Sequence, residues 1–134
     1  MPKLSRILET ALYVEDMAAA ERFYSEVLEL PLLEKGTDRM LVYTVGDDML
    51  LICFAPETLK RTSVPPHGAT GPGHMAFEVD ENEYDIWKKY LTEKQVKIEK
   101  EVTWKSAARS MYFYDSSGNV LEIGTPGIWK GIKQ

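Results

Sequence analysis

Histidine and cysteine are scarce in this chain: two histidines and one cysteine stand among 134 residues. A lone thiol excludes an internal disulfide. Cys53 lies in the apolar run Met49–Phe54, where it reads as a small buried hydrophobe rather than a nucleophile. Positive charge is also short. Sixteen Lys and Arg against 21 Asp and Glu leave a net charge of −5. That balance argues against a binder of nucleic-acid backbone. No uninterrupted apolar run reaches the roughly 20 residues that a bilayer span needs. The start, Met1-Pro2-Lys3-Leu4-Ser5, has no apolar signal core, so secretion is not expected. The expectation is a cytoplasmic protein with no membrane and no nucleic-acid partner.

What is present is ample apolar content, 44% of residues, arranged as a repeat. Glu9-Thr10-Ala11-Leu12-Tyr13-Val14 and His74-Met75-Ala76-Phe77-Glu78-Val79 share one pattern. Each opens on a residue able to bind metal, then places Ala two residues on and Val three beyond that. An acid follows each (Glu15, Asp80), and then an amphipathic helical pattern. In the first copy Ala20, Phe23, Tyr24, Val27 and Leu28 fall on one helical face, with Asp16 as N-cap and Pro31 as terminator. Extended pieces follow at Leu32–Glu34, Arg39–Val45 and Met49–Ala55. In the second copy Asp80 or Asn82 caps a helix whose buried face carries Tyr84, Trp87 and Leu91. Val96–Val102, Ser110–Tyr114 and Val120–Ile123 read as strands. The class is therefore α+β: a single domain, 1–134, built from two βαβββ modules at 6–55 and 74–124. Residues 56–73, with Pro56, Pro65, Pro66 and Pro72, form a linker, and 125–134 a tail. His67 lies in that linker and reads as a solvated loop histidine.

Matching the two copies by offset aligns Met49–Cys53 with Asn119–Ile123, which sets Ile52 opposite Glu122. Four comparable positions result: Glu9, Ile52, His74 and Glu122. Three hold groups that bind metals. One imidazole and two carboxylates suit Mn, Fe, Ni, Co or Zn and leave positions open for a small-molecule substrate. By residue type alone, His74 could equally cap a turn, and Glu9 could face solvent on an edge strand. Glu122 is different, because a carboxylate in an apolar strand needs a partner, whether metal, other cation or arginine. Arg39 and Arg109 open matched strands and could reach an anionic substrate group, or form surface ion pairs. Ser110 and Tyr112 share one strand face and could line the same site.

The chain resembles the vicinal oxygen chelate superfamily of glyoxalase I, extradiol dioxygenases, and fosfomycin- and bleomycin-resistance proteins. The resemblance rests on Ala11–Asp16 with Phe23-Tyr24 and Val27-Leu28, on Gly71–Val79, and on Tyr112–Ile123 with its Asp-x-x-Gly-Asn-x-x-Glu-Ile ending. It implies paired modules whose sheets curl around a cleft holding a divalent metal, with Glu9, His74 and Glu122 as ligands. It also implies a homodimer in which Glu9 joins the partner subunit's His74 and Glu122. Glu9 replaces the more usual histidine, which makes the site harder and leans toward Mn, Fe or Mg over Zn or Ni. Extradiol ring cleavage uses two histidines and one glutamate, so it is not supported. Glyoxalase I has a further ligand where Ile52 stands, which makes its isomerisation less expected. The three-ligand pattern, with Ser110 and Tyr112, is closer to the fosfomycin-resistance group. That group's substrate threonine, however, corresponds to Ala11. The expected function is a metal-dependent lyase, isomerase or transferase for an oxygen-chelating substrate, with Glu122 or Glu9 as base. The alternative is a drug-sequestering protein of the bleomycin-resistance type.

Overall fold

The computed structural model describes residues 1–36, 40–60 and 63–129. The chain divides into two compact units, Met1–Gly71 and Pro72–Gln134. In the first, β1 (Glu9–Val14) leads to α1 (Met17–Glu21), which continues as a π-helical stretch, Arg22–Val27. Then come β2 (Leu32–Lys35), β3 (Met40–Val45), β4 (Asp48–Phe54) and the short α2 (Ala55–Thr58). The strand order is β1-β4-β3-β2, with β1 parallel to β4 and the other pairs antiparallel. In the second unit β5 (His74–Glu78) is followed by a 3-10 turn, Glu81–Glu83, and α3 (Tyr84–Glu93). After it run β6 (Lys100–Thr103), β7 (Arg109–Tyr114) and β8 (Val120–Gly124). The order β5-β8-β7-β6 repeats the first sheet, again with one parallel pair. The α+β class and the βαβββ repeat expected from sequence are both present.

Alternation along each strand gives every sheet one covered and one open face. In the first unit Leu12, Val14, Leu41, Tyr43, Leu50 and Ile52 are buried. Tyr43 lies 5.9 Å from the ring of Tyr24, which marks this as the helix side. In the second unit Met111, Phe113, Leu121 and Ile123 are buried, as are Tyr84 and Leu91 of α3. Arg109, on the same side as Met111, stacks on Tyr84 at 4.1 Å, so this is again the helix side. The opposite faces carry Glu9, Ala11 and Leu51 in one unit and His74, Ala76 and Glu122 in the other.

That register corrects the matching of the copies. With Glu9 as counterpart of His74, the parallel ladders pair Ala11 with Leu51 and Ala76 with Glu122. Leu51, not Ile52, therefore occupies the position of Glu122. Ile52 is fully buried on the helix side. A one-residue offset turns a strand residue to the other face, and the apolar run Leu50-Leu51-Ile52 hides such a slip from sequence.

Other departures have local causes. Asp16 does cap α1, accepting from Ala19 N at 3.0 Å. The helix nevertheless ends at Val27, well before Pro31, with a π-type bond from Leu28 N to Phe23 O and Glu29 at φ +54°. The left-handed residue, not the proline, stops it. β6 begins at Lys100, later than the alternation from Val96 suggested. The linker starts with α2, which carries Pro56 in its first turn, where a missing N–H costs nothing. No helix among the described residues is long and apolar enough to cross a membrane.

Two predictions follow from these placements. Ile52→Glu should destabilise the protein by roughly 4 kcal/mol or more, because it buries an unpaired carboxylate, whereas Leu51→Glu should cost clearly less. Urea unfolding ranks the two, and the reverse order would move the register by one. The second concerns Glu101, whose Oε2 pairs with Lys88 Nζ at 2.7 Å and whose Oε1 accepts from Tyr84 at 3.0 Å. The Lys88 hydrogen bond foremost, helped by Tyr84 and Arg109 against some burial, holds this carboxyl below its ordinary 4.5. Its stabilisation is therefore present above pH 4.5 and lost as pH falls through the lowered value. Glu101→Gln should flatten that acid limb of the stability profile and leave its pH dependence near neutrality unchanged.

Candidate metal centre

Gly71-Pro72-Gly73 delivers His74 to the first position of β5, on the open face of the second sheet. Its ring is anchored at one nitrogen: Nδ1 lies 2.8 Å from the Val120 carbonyl oxygen. A carbonyl can only accept, so Nδ1 carries the hydrogen. In the neutral ring Nε2 then presents a lone pair. What it faces is Glu122 Oε1, 3.3 Å away. Two acceptors aimed at each other repel unless a proton or a metal cation lies between them.

The arrangement fits a metal. A ligating histidine ordinarily donates its other N–H to a carbonyl or carboxylate, which fixes the tautomer and raises ligand basicity. Two ligand atoms each about 2.1 Å from one ion lie about 3.0–3.4 Å apart at bond angles of 90–110°. The observed 3.3 Å falls in that range.

Glu122 is held as firmly as His74. It is 7% exposed in the middle of β8. Its Oε2 accepts from Ser110 Oγ at 2.6 Å, and Ser110 Oγ in turn accepts from the Trp104 indole N–H at 2.9 Å. Ser110 is fully buried. Gly124 makes room beside this chain, because a Cβ there would lie 2.6 Å from Ile128 Cδ1. The tail thus folds over its own sheet at that point. Tyr112, the ladder partner of Glu122, stacks on the His74 ring with centroids 6.3 Å apart. Burial first, and then the Glu122 charge, push its hydroxyl above the ordinary value of 10. It remains a proton donor at neutral pH.

His74, Glu122, Ser110 and Tyr112 are therefore brought together. The other expected site residues stand apart. Glu9 opens β1 in the first unit and is exposed, with no hydrogen bond or ion pair among the described residues. Among the described residues no group of three His, Cys, Asp or Glu side chains converges to hold a metal. Arg109, expected near the substrate, projects to the helix side. There it donates to Asp85 at 3.1 Å, lies 3.7 Å from Glu81, and covers Tyr84. It is a structural cation, and alternation from Ser110 was the signal that could have shown this. Arg39 lies outside the described residues. Trp104 was read only as an apolar aromatic, yet its N–H orients the carboxylate through Ser110. His67 is not a solvated loop residue. It is half-buried, with Nδ1 2.5 Å from the Tyr13 hydroxyl. Cys53 is buried as expected.

Comparison with known proteins shows the family of the chain. The model of the Glyoxalase/Bleomycin resistance protein/Dioxygenase superfamily matches residues 6–123. The chain belongs to that superfamily. It is 30% identical over 117 residues to metallothiol transferase FosB of Staphylococcus epidermidis, covering 84% of this chain and 75% of that protein. Lactoylglutathione lyase from Agrobacterium tumefaciens superposes with a TM-score of 0.91 at 33% identity, covering 96% of this chain and 99% of the other. Fosfomycin resistance protein FosX from Mesorhizobium loti shares the fold, with a TM-score of 0.66 at 19% identity over 92% and 93% of the two chains.

The chain of bonds ending on Glu122 makes a specific prediction. Ser110→Ala should leave the fold intact but weaken divalent-metal affinity about 10-fold or more, because one carboxylate oxygen loses its donor. Trp104→Phe should give a smaller loss of the same kind. Arg109→Ala should lower stability without changing metal affinity. Titration with a competing chelator, beside thermal melts, separates these effects.

Proposed function

We propose that this chain is a divalent-metal enzyme that adds or transfers a thiol to a small substrate chelating through adjacent oxygens. The observation that carries the reading is Nε2 of His74 facing Glu122 Oε1 at 3.3 Å, with Nδ1 committed to Val120. His74 and Glu122 would hold the metal together with the partner subunit's Glu9, the residue that opens the matching strand of the first unit. The working form is a homodimer. When bound, the ion supplies Lewis-acid polarisation of a substrate oxygen. The donor set of one imidazole and two carboxylates favours Mn or Fe.

The protein groups do the rest. Val120 and Ser110 hold the two second-unit ligands in orientation. Tyr112, protonated, donates a hydrogen bond to the substrate oxygen that gains charge. Glu9, exposed and with no hydrogen bond or ion pair among the described residues, would release the metal and take the thiol proton as sulfur bonds to the electrophilic carbon, the carbon–oxygen bonding pair passing to the oxygen that Tyr112 hydrogen-bonds. One of the similar proteins is named a metallothiol transferase, and another a lyase of lactoylglutathione, the thioester of a thiol. That shared feature favours a thiol as one reactant. An aliphatic residue at the position matching Glu122 removes a second carboxylate that proton shuttling between adjacent carbons would use. Addition or transfer is therefore preferred to isomerisation.

Elemental analysis of purified protein tests the reading. One divalent transition metal per chain is expected, lost in His74→Ala and weakened in Glu9→Gln. Metal-loaded protein should consume free thiol only with an oxygen-chelating electrophile present. If no metal binds after incubation with Mn, Fe, Ni, Co or Zn, the enzyme reading fails. A sequestering role of the bleomycin-resistance type would then take its place.

A further inference from the structure

Beside the metal pair, on the same open face of the second sheet, lies a pocket of about 300 Å³. Glu99, Lys100, Val102, Tyr112, Phe113, Tyr114 and Val120 line it. The pocket and the metal pair share walls. Tyr112 stacks on His74, and Val120 supplies the carbonyl that anchors it. The register places Lys100 across from Tyr112, and Tyr112 across from Glu122. These three residues form one row, so Lys100 sits two strand spacings, about 10 Å, from the ligand carboxylate.

The lining is apolar apart from its two charged residues. Glu99 is already paired with Lys97 at 3.6 Å. Lys100 makes no ion pair among the described residues, although the chain carries a net charge of −5 and 21 acidic residues. An exposed ammonium left without a carboxylate, at the far end of an apolar pocket, complements an anion. Tyr114, half exposed, and Val102 would be covered by whatever lies between.

We infer that this pocket is the subsite for the substrate's tail. It takes a flat apolar body, aromatic in preference to a short alkyl group, with a carboxylate or similar anion that reaches Lys100. The substrate class is thus an aryl compound with chelating oxygens at one end and an anionic group at the other. This rests on the metal-enzyme reading above, since the chelating end is placed by His74 and Glu122.

Three hydroxamates test it on Mn-loaded protein by calorimetry: acetohydroxamate, benzohydroxamate and 4-carboxybenzohydroxamate. All chelate through two oxygens, and they differ only in the tail. Burial of the ring should tighten binding about 10-fold over acetohydroxamate. The carboxylate should add about threefold at low salt and lose that gain at high salt. Lys100→Met keeps the apolar stem, and it should abolish the carboxylate gain alone. Tyr114→Ala should reduce the ring gain. If acetohydroxamate binds but the ring and carboxylate add nothing, or the carboxylate gain survives Lys100→Met, the subsite assignment is overturned and the metal reading stands. If the protein takes no metal, the metal reading fails instead. The pocket is then judged on metal-free protein with terephthalate. NMR shifts at Val102, Tyr114 and Val120 that weaken in Lys100→Met support it, and their absence overturns it.

Discussion

The parallel pairing of β5 with β8 is the constraint on which the second unit's chemistry depends. It sets His74 beside Val120 and Ala76 beside Glu122, so that imidazole and carboxylate meet diagonally on one face. A slip of one residue would turn Glu122 into the helix-side core and send Leu121 out. The register is pinned at the start of both strands. Val120 N donates to Gly73 O at 2.8 Å, and Gly73 N donates to Asn119 Oδ1 at 2.7 Å. Asn119 is itself fixed by Asp115, which accepts from its backbone N–H and its amide. Asp115 and Asn119 are both buried, so these bonds are made where water cannot replace them. The Asp-x-x-Gly-Asn turn thus works as a clamp on the residue preceding the ligand.

The two units use one ladder for different ends. Counting from Glu9 and from His74, Leu51 answers Glu122, Val42 answers Tyr112, and Met40 answers Ser110. Every polar group of the second site is matched by an apolar one in the first. Only the opening position keeps a polar, metal-binding residue type in both copies. A repeat that holds its register while its face chemistry diverges retains the scaffold, because the helix-side core is conserved in character: Leu50 and Ile52 in one unit, Leu121 and Ile123 in the other. The open face has no such duty and is able to vary.

This division explains what could be read in advance. The repeat, the helix positions and the pairing of His74 with Glu122 were legible, because turn residues and apolar periodicity announce strands and helices directly. Register was not legible where a strand is apolar on both faces, and Ile52 was accordingly taken for Leu51. The side of the sheet taken by Arg109 was available from its alternation with Ser110 and Tyr112, but matching it to Arg39 by strand start concealed this. Trp104 and His67 were missed for a different reason. Their partners, Ser110 and Tyr13, lie across a hairpin or a long connection, and no local pattern encodes such a meeting.

The division of labour on Glu122 bears on which carboxylate moves protons. Its Oε2 already accepts a 2.6 Å bond from Ser110, and its Oε1 faces His74. Were Glu122 to leave a bound metal and turn to act as a base, the Ser110 bond would break and a buried serine hydroxyl would lose its acceptor. Such a loss costs about 1–3 kcal/mol. Glu9 carries no such bonds among the described residues, and its side chain is exposed. Of the two carboxylates considered as base, the one that can change partners at little cost is Glu9. Under the proposed metal reading, Glu122 is the better suited of the two to remain a fixed ligand.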